Sequence, residues 1–89
     1  MKRAHVIYSG DVHGVGFRFT AIDVAKRYKI GGWVKNTADG KVEVVAEAVE
    51  PALKSFLTQL DTATSHYIRD KNISWESATT EFTDFQIRF

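Results

Sequence analysis

The sequence predicts an α+β sandwich in which an antiparallel sheet carries two helices on one face. Two amphipathic segments with helical spacing alternate with strand-like segments. A glycine-rich loop joins the first strand to the first helix, and an Asp-Gly turn joins the second strand to the third. Because crossover connections are right-handed, the order strand, helix, strand, strand, helix, strand favours a ferredoxin-like βαββαβ arrangement.

The first strand and the first helix flank the glycine-rich loop. Residues 4–9 are rich in the β-branched and aromatic types that favour strands. After the loop, apolar residues recur at helical spacing, namely Ala21, Val24, Ala25 and Tyr28. Thr20 followed by Asp23 predicts a capping pair at the start of this helix, and Gly31 predicts its end.

A hairpin and a second helix come next. Asp39-Gly40 is a strong hairpin signal between strands predicted at residues 32–36 and 41–49. Pro51 suits the first turn of the second helix. That helix has an apolar stripe at i, i+3, i+4 and i+7, formed by Leu53, Phe56, Leu57 and Leu60.

The last third of the chain has a less regular pattern. Residues 85–89 alternate apolar and polar side chains and predict a final strand. Residues 61–76 give a weaker signal, with short strands possible at 65–68 and 73–75. With 89 residues there is no room for a second core, so we expect one domain spanning residues 1–89.

Composition excludes several classes of protein. The formal charge is +1 and the 12 Lys and Arg residues are scattered, whereas nucleic-acid or membrane binding usually needs a clustered basic face. There is no cysteine, which rules out disulfides and thiol catalysis. No sustained apolar stretch suggests a signal peptide or a membrane span. We therefore expect a cytoplasmic monomer without nucleic-acid or membrane partners.

The glycine loop, residues 10–18, is the most informative segment. It holds three of the six glycines, and clustered glycine indicates left-handed dihedrals or close backbone approach. A loop between a strand and a helix N-terminus directs several N–H groups at one point and so binds anions. Arg18 lies at the helix start, where the macrodipole disfavours a cation unless an anion lies between them. The loop therefore predicts an anion-binding site.

Two motifs together resemble those of the acylphosphatase family. They are GDVHGVGFR at residues 10–18 and GWVKNTADGKVE at residues 32–43, and the resemblance covers nearly the whole chain. It implies an enzyme that hydrolyses the carboxyl–phosphate anhydride to carboxylate and orthophosphate. It also implies that Arg18 binds the phosphate and that Asn36 positions the attacking water. The implied substrate-binding residues are His13, Gly14, Val15, Gly16, Phe17 and Arg18.

The chemistry of an acyl phosphate is compatible with these few groups. Its leaving group is a carboxylate, whose acid has a pKa of about 4, so no general acid is needed. Arg18 supplies a planar fork of donors that stays charged. Asn36 can guide a water, and the base is then a phosphate oxygen of the substrate. We expect no metal and no cofactor, and we expect inorganic phosphate or sulfate to bind at the site.

Other interpretations of the same residues are open. Glycine clusters are often only turns, and Asn36 before a turn can be an Asx cap. The domain could then be a non-catalytic, anion-binding regulatory module. An RNA-recognition domain shares the fold, but it needs exposed aromatic residues on the central strands, where residues 41–45 are acidic, basic and aliphatic. The three histidines have no metal-ligand spacing.

The chain departs from the family pattern at three places. Residue 13 is His where glutamine is usual, which could add pH dependence near neutrality. Asp11 brings a negative charge close to the loop. Residues 61–65 replace the usual Gly-Pro segment after the second helix, so the resemblance says least about the strand that follows.

Overall fold

A computed structural model describes residues 1–89 as a five-stranded sheet with two helices packed on one face. The elements in chain order are β1 (Lys2–Gly10), α1 (Phe17–Tyr28), β2 (Gly31–Asn36), β3 (Val42–Ala48), α2 (Glu50–Ala63), β4 (Ile68–Ser77) and β5 (Phe85–Ile87). The predicted α+β, ferredoxin-like class is confirmed. Neither helix combines the length and the apolarity that a membrane-spanning helix needs.

The strand order is β4-β1-β3-β2-β5, and the last strand corrects the prediction of an entirely antiparallel sheet. Strands β1 to β4 pair antiparallel, but β5 pairs in parallel with β2, so the sheet is mixed. The fourth strand of the βαββαβ unit is therefore β4 and not the final segment. Because β4 pairs with β1, the outer edge of β2 is left free for β5.

The core lies between the sheet and the helices, as the apolar patterns predict. Alternate residues of β1 and β3 are fully buried, among them Val6, Tyr8 and Val44. The buried face of α1 consists of Phe17, Ala21, Val24 and Ala25. That of α2 consists of Leu53, Phe56, Leu57 and Leu60, the predicted stripe, and Pro51 lies in its first turn.

Helix α1 starts and ends earlier than its sequence predicts. Gly16 is its N-cap, with a φ of 76°, and no side chain caps the helix, so the predicted pair of Thr20 and Asp23 is wrong as a cap. Thr20 lies inside the first turn, where its N–H group donates to the Gly16 carbonyl at 3.0 Å. Lys29, with a φ of 54°, ends the helix, and Gly31 begins β2.

The C-terminal ends of strands β1 and β2 lie at one end of the sheet, on either side of β3. Both strands pair antiparallel with β3 and therefore run in the same direction. Tyr8, near the end of β1, and Asn36, at the end of β2, are both paired with Val42. The glycine loop leaves β1 at this end of the sheet and leads directly into α1. The motifs at residues 10–18 and 32–43 therefore meet there.

Candidate active site

The glycine loop has left-handed backbone at two positions. Gly14 has a φ of 74° and Gly16 a φ of 76°, which glycine adopts without the cost that a side chain would bring. A Cβ at either residue would meet no protein atom within 4 Å. These glycines are therefore required by the backbone conformation and not by packing.

The N–H groups of the loop are free of protein acceptors. None of the backbone N–H groups of residues 13–18 donates to a backbone carbonyl, and none donates to a side chain. The first N–H groups of a helix have no intrahelical partner, and α1 begins within this stretch. The loop and the first turn of α1 thus offer a set of unused donors beside the positive end of the helix dipole.

A cavity of about 170 Å³ lies between the loop, the start of α1 and the end of β2. Its lining residues are Val12, Gly14, Gly16, Phe17, Arg18, Phe19 and Asn36. The cavity brings together Arg18 and Asn36, the two residues to which the sequence motifs assign the chemistry. Of the predicted substrate-binding residues, His13 and Val15 do not line it.

Arg18 is partly exposed and has no acidic partner. No carboxylate lies within 4.0 Å of its guanidinium group. The guanidinium carbon lies over the ring of Phe89, 5.4 Å from the ring centroid. The five N–H donors of Arg18 are therefore available to an anion.

Asn36 is also partly exposed, and its carboxamide makes no hydrogen bond to the protein. It does not cap the following turn, so the Asx-cap interpretation fails. Thr37 closes that turn instead. Its N–H group donates to the Lys41 carbonyl at 2.8 Å, and its hydroxyl accepts from the Lys41 N–H group at 3.1 Å. A hydrogen bond from the Thr37 hydroxyl to Asp39 lowers the pKa of that carboxyl group.

The side chain of His13 points to the hairpin and not to the cavity. Its Nε2 atom lies 2.7 Å from the carbonyl oxygen of Lys41 and donates to it. The predicted contribution of His13 to anion binding would therefore come from its backbone, while its side chain links the glycine loop to the β2–β3 turn.

Asp11 stays outside the cavity. Its side chain is exposed, and its backbone N–H group donates to the Tyr67 carbonyl at 2.9 Å. Gly10, with a φ of 126°, passes so close to the chain before β4 that a Cβ would lie 2.4 Å from the Tyr67 oxygen. This contact fixes the direction in which the loop leaves β1.

The histidines do not form a common site. His5 Nε2 lies 2.6 Å from Glu43 Oε2 on the open face of the sheet, His13 bonds to the hairpin, and His66 is exposed. No group of three or more His, Asp or Glu side chains is arranged to hold a metal ion.

A larger cavity, of about 600 Å³, lies at the opposite end of β2, between the end of α1 and residues 80–85. Its buried ionisable group is Glu47, which is 2% exposed. That carboxylate already accepts hydrogen bonds from Arg3 Nε at 2.7 Å, from Thr79 N–H at 2.8 Å and from Thr80 N–H at 2.9 Å. The buried carboxylate of the larger cavity is therefore engaged in structural hydrogen bonds, whereas the smaller cavity brings an unpaired guanidinium and a free carboxamide together and is the candidate active site.

Sequence reasoning missed Phe19 as a residue of this site. Phe19 lines the smaller cavity and is 69% exposed. It does not belong to the buried face of α1. A large aromatic residue off the apolar stripe of a helix was the available signal.

Comparison with known proteins agrees with this geometry. The family model described as Acylphosphatase matches residues 4–87. The chain is 34% identical to an acylphosphatase of Anaeromyxobacter sp. (strain Fw109-5), over 99% of this chain and 96% of the relative. It is 38% identical to one of Roseiflexus sp. (strain RS-1), over 98% and 95%.

The fold of the chain also matches that of a known acylphosphatase. The crystal structure of the Bacillus subtilis acylphosphatase superposes with a TM-score of 0.92 at 33% identity and covers 100% of both chains. Proteins of that name are hydrolases of acid anhydrides that act on acyl phosphates. This chain belongs to the acylphosphatase family.

Proposed function

We propose that residues 1–89 act as a single domain that hydrolyses acyl phosphates at the cavity formed by the glycine loop, Arg18 and Asn36. One observation carries the assignment of residues: an unpaired guanidinium, unused backbone N–H groups and a free carboxamide line or border one cavity. Each supplies one function that the reaction needs.

In this mechanism the phosphoryl group lies against the glycine loop. Backbone N–H groups of residues 13–18 and the fork of Arg18 donate to its nonbridging oxygens. These donors hold the group in place and stabilise the charge that spreads over the oxygens in the transition state. Their positions are fixed by α1 and by two left-handed glycines before substrate binds.

Asn36 orients the attacking water. Its carboxamide oxygen accepts from the water and holds it in line with the bond to be broken. The water oxygen forms a bond to phosphorus, and the bond between phosphorus and the carboxyl oxygen breaks. The electron pair leaves with the carboxylate, and a proton of the water passes to a phosphate oxygen.

The proposal includes no metal and no cofactor, because Arg18 and the loop N–H groups supply positive charge to the phosphoryl group. It takes a small acyl phosphate as partner, with inorganic phosphate or sulfate as ligands of the same site. It further treats the domain as a cytoplasmic monomer that does not bind nucleic acid, which fits its scattered basic residues and its charge of +1.

A non-catalytic, anion-binding regulatory domain is the alternative function. Such a module would need the loop and Arg18 but not a carboxamide free of protein contacts at the edge of the cavity. Asn36 therefore favours the enzyme, as does the family to which the chain belongs.

The test is release of orthophosphate from acetyl phosphate and from benzoyl phosphate in the presence of EDTA. We expect turnover that neither EDTA nor added Mg²⁺ changes. Loss of turnover in EDTA with recovery on adding a divalent ion would contradict the metal-free mechanism. No hydrolysis under any condition, together with retained phosphate binding, would favour the regulatory module.

A further inference from the structure

A large apolar side chain lies unprotected at the mouth of the candidate active site. Phe19 is 69% exposed, yet it lines the same cavity as Arg18 and Asn36. It follows Arg18 directly on α1, whose buried face is formed by other residues. Packing against the core therefore does not explain why a phenyl ring stands at this position.

A second phenyl ring lies beside the same arginine. The ring of Phe89 is 5.4 Å from the Arg18 guanidinium carbon, and Phe89 is fully exposed. Two aromatic side chains, from α1 and from the C-terminal segment, thus border the group that is proposed to bind phosphate. The surroundings of the phosphate site are apolar, although the site itself is polar.

We propose that Phe19 binds the acyl group of the substrate and makes the enzyme prefer aromatic and bulky aliphatic acyl phosphates over acetyl phosphate. The inference rests on the proposed function. With the phosphoryl group on the loop and Arg18, the acyl substituent must extend away from the donors. Among the residues that line the cavity, Phe19 is the large apolar side chain exposed to it.

The contact has a definite physical consequence. A phenyl or branched acyl group covers apolar surface of Phe19 and removes its own apolar surface from water, whereas a methyl group covers little. This contact is made in the ground state and in the transition state alike. It therefore lowers KM for the larger substrates more than it raises kcat.

The test measures kcat/KM for benzoyl phosphate and for acetyl phosphate in the full chain and in Phe19→Ala. We expect the benzoyl-to-acetyl ratio to fall roughly tenfold in Phe19→Ala, mainly through KM. Phe19→Leu keeps an apolar side chain and should retain an intermediate ratio. Inhibition by inorganic phosphate should persist in both variants, because the loop and Arg18 are intact.

Trp75→Ala is the matched control. Trp75 is 44% exposed, lies on β4 and does not line the cavity, so its removal should leave the ratio unchanged. An unchanged ratio in Phe19→Ala, or an equal fall in Trp75→Ala, would overturn the inference. Failure of the proposed function is a separate outcome, since the unsubstituted chain would then hydrolyse neither substrate.

Discussion

The Nε2 atom of His13 lies 2.7 Å from the carbonyl oxygen of Lys41. A side chain of the glycine loop is thereby bonded to the hairpin that begins directly after Asn36. The same carbonyl oxygen accepts the N–H group of Thr37 at 2.8 Å. The bond therefore links the part of the site that is proposed to hold the phosphoryl group to the part that is proposed to hold the water.

Replacing His13 tests this link. His13→Ala should lower kcat by about fivefold, because one hydrogen bond worth about 1 kcal/mol no longer holds the two parts in register. His13→Gln should retain most of the turnover, since its amide N–H group can donate to the same carbonyl. His66→Ala, at an exposed histidine, is the control. Equal losses in the Ala and Gln variants would show that the hydrogen bond is not what matters.

Arg18→Ala should nearly abolish activity and weaken inhibition by phosphate. In the proposed mechanism the guanidinium contacts the anion in the ground state and the transition state, so its loss should cost about 3 kcal/mol or more, roughly a hundredfold in kcat/KM. Arg18→Lys should recover little, because an ammonium group lacks the planar fork. Arg27→Ala removes an exposed arginine from the same helix, and its kcat/KM should be close to that of the unsubstituted chain. Near-normal turnover in Arg18→Ala would refute the site.

Asn36→Ala should separate catalysis from binding. We expect kcat to fall by about two to three orders of magnitude while phosphate affinity stays close to that of the unsubstituted chain. Asn36→Asp should also weaken anion binding, because a carboxylate there repels the phosphoryl group. Asn72→Ala, at an exposed asparagine of β4, is the control. A variant that loses stability but keeps full activity per folded molecule would show that Asn36 is only structural.

Glu47 should make stability depend on acid pH. Burial alone would raise the pKa of this carboxyl group, but hydrogen bonds from Thr79, Arg3 and Thr80 outweigh it and hold the pKa below its ordinary value of 4.5. A pKa lowered by folding means that the stabilisation is fully present above about pH 4.5 and is lost as the pH falls through the folded-state value.

Glu47→Gln should lower the free energy of unfolding by about 2 kcal/mol near neutral pH. A neutral amide has one acceptor oxygen in place of two charged ones, so the donors of Arg3, Thr79 and Thr80 lose hydrogen bonds. The variant should also lose part of the acid dependence. Urea unfolding at neutral pH and at acid pH measures both effects, with Glu76→Gln, at an exposed residue of β4, as the control. Equal acid dependence in the variant and the unsubstituted chain would exclude Glu47 as its source.

Short sequence patterns predicted correctly those elements whose structure depends on residues close together in the chain. The stripe of α2 predicted its buried face, and Asp39-Gly40 predicted the β2–β3 hairpin, because each depends on neighbouring residues. Strand β4 was predicted only as fragments. It is an edge strand with largely exposed side chains, and its course is set by pairing with β1, far away in sequence.

The sequence did not predict the boundaries of α1 or the parallel pairing of β5, because each is set by a feature that the local residue pattern does not show. Thr20 and Asp23 form an acceptable local capping pattern, but the left-handed turn at Gly16 starts the helix before them. The place of β5 depends on which edge of the sheet is free after β4 has paired with β1. Phe19 could be assigned to the candidate site only from the fold, which places the end of β2 beside the start of α1.

The hydrogen-bonded carboxylate of Glu47 lies at the end of β3 that is remote from the Arg18 cavity, opposite Arg3 and Gly31. We therefore expect substitutions at that end to raise or lower the melting temperature while turnover stays constant. A substitution at Phe19, which lies off the buried face of α1, is expected to change the proposed preference among acyl phosphates without loosening the fold. We therefore expect the melting temperature and the substrate preference to respond to separate substitutions in this chain of 89 residues.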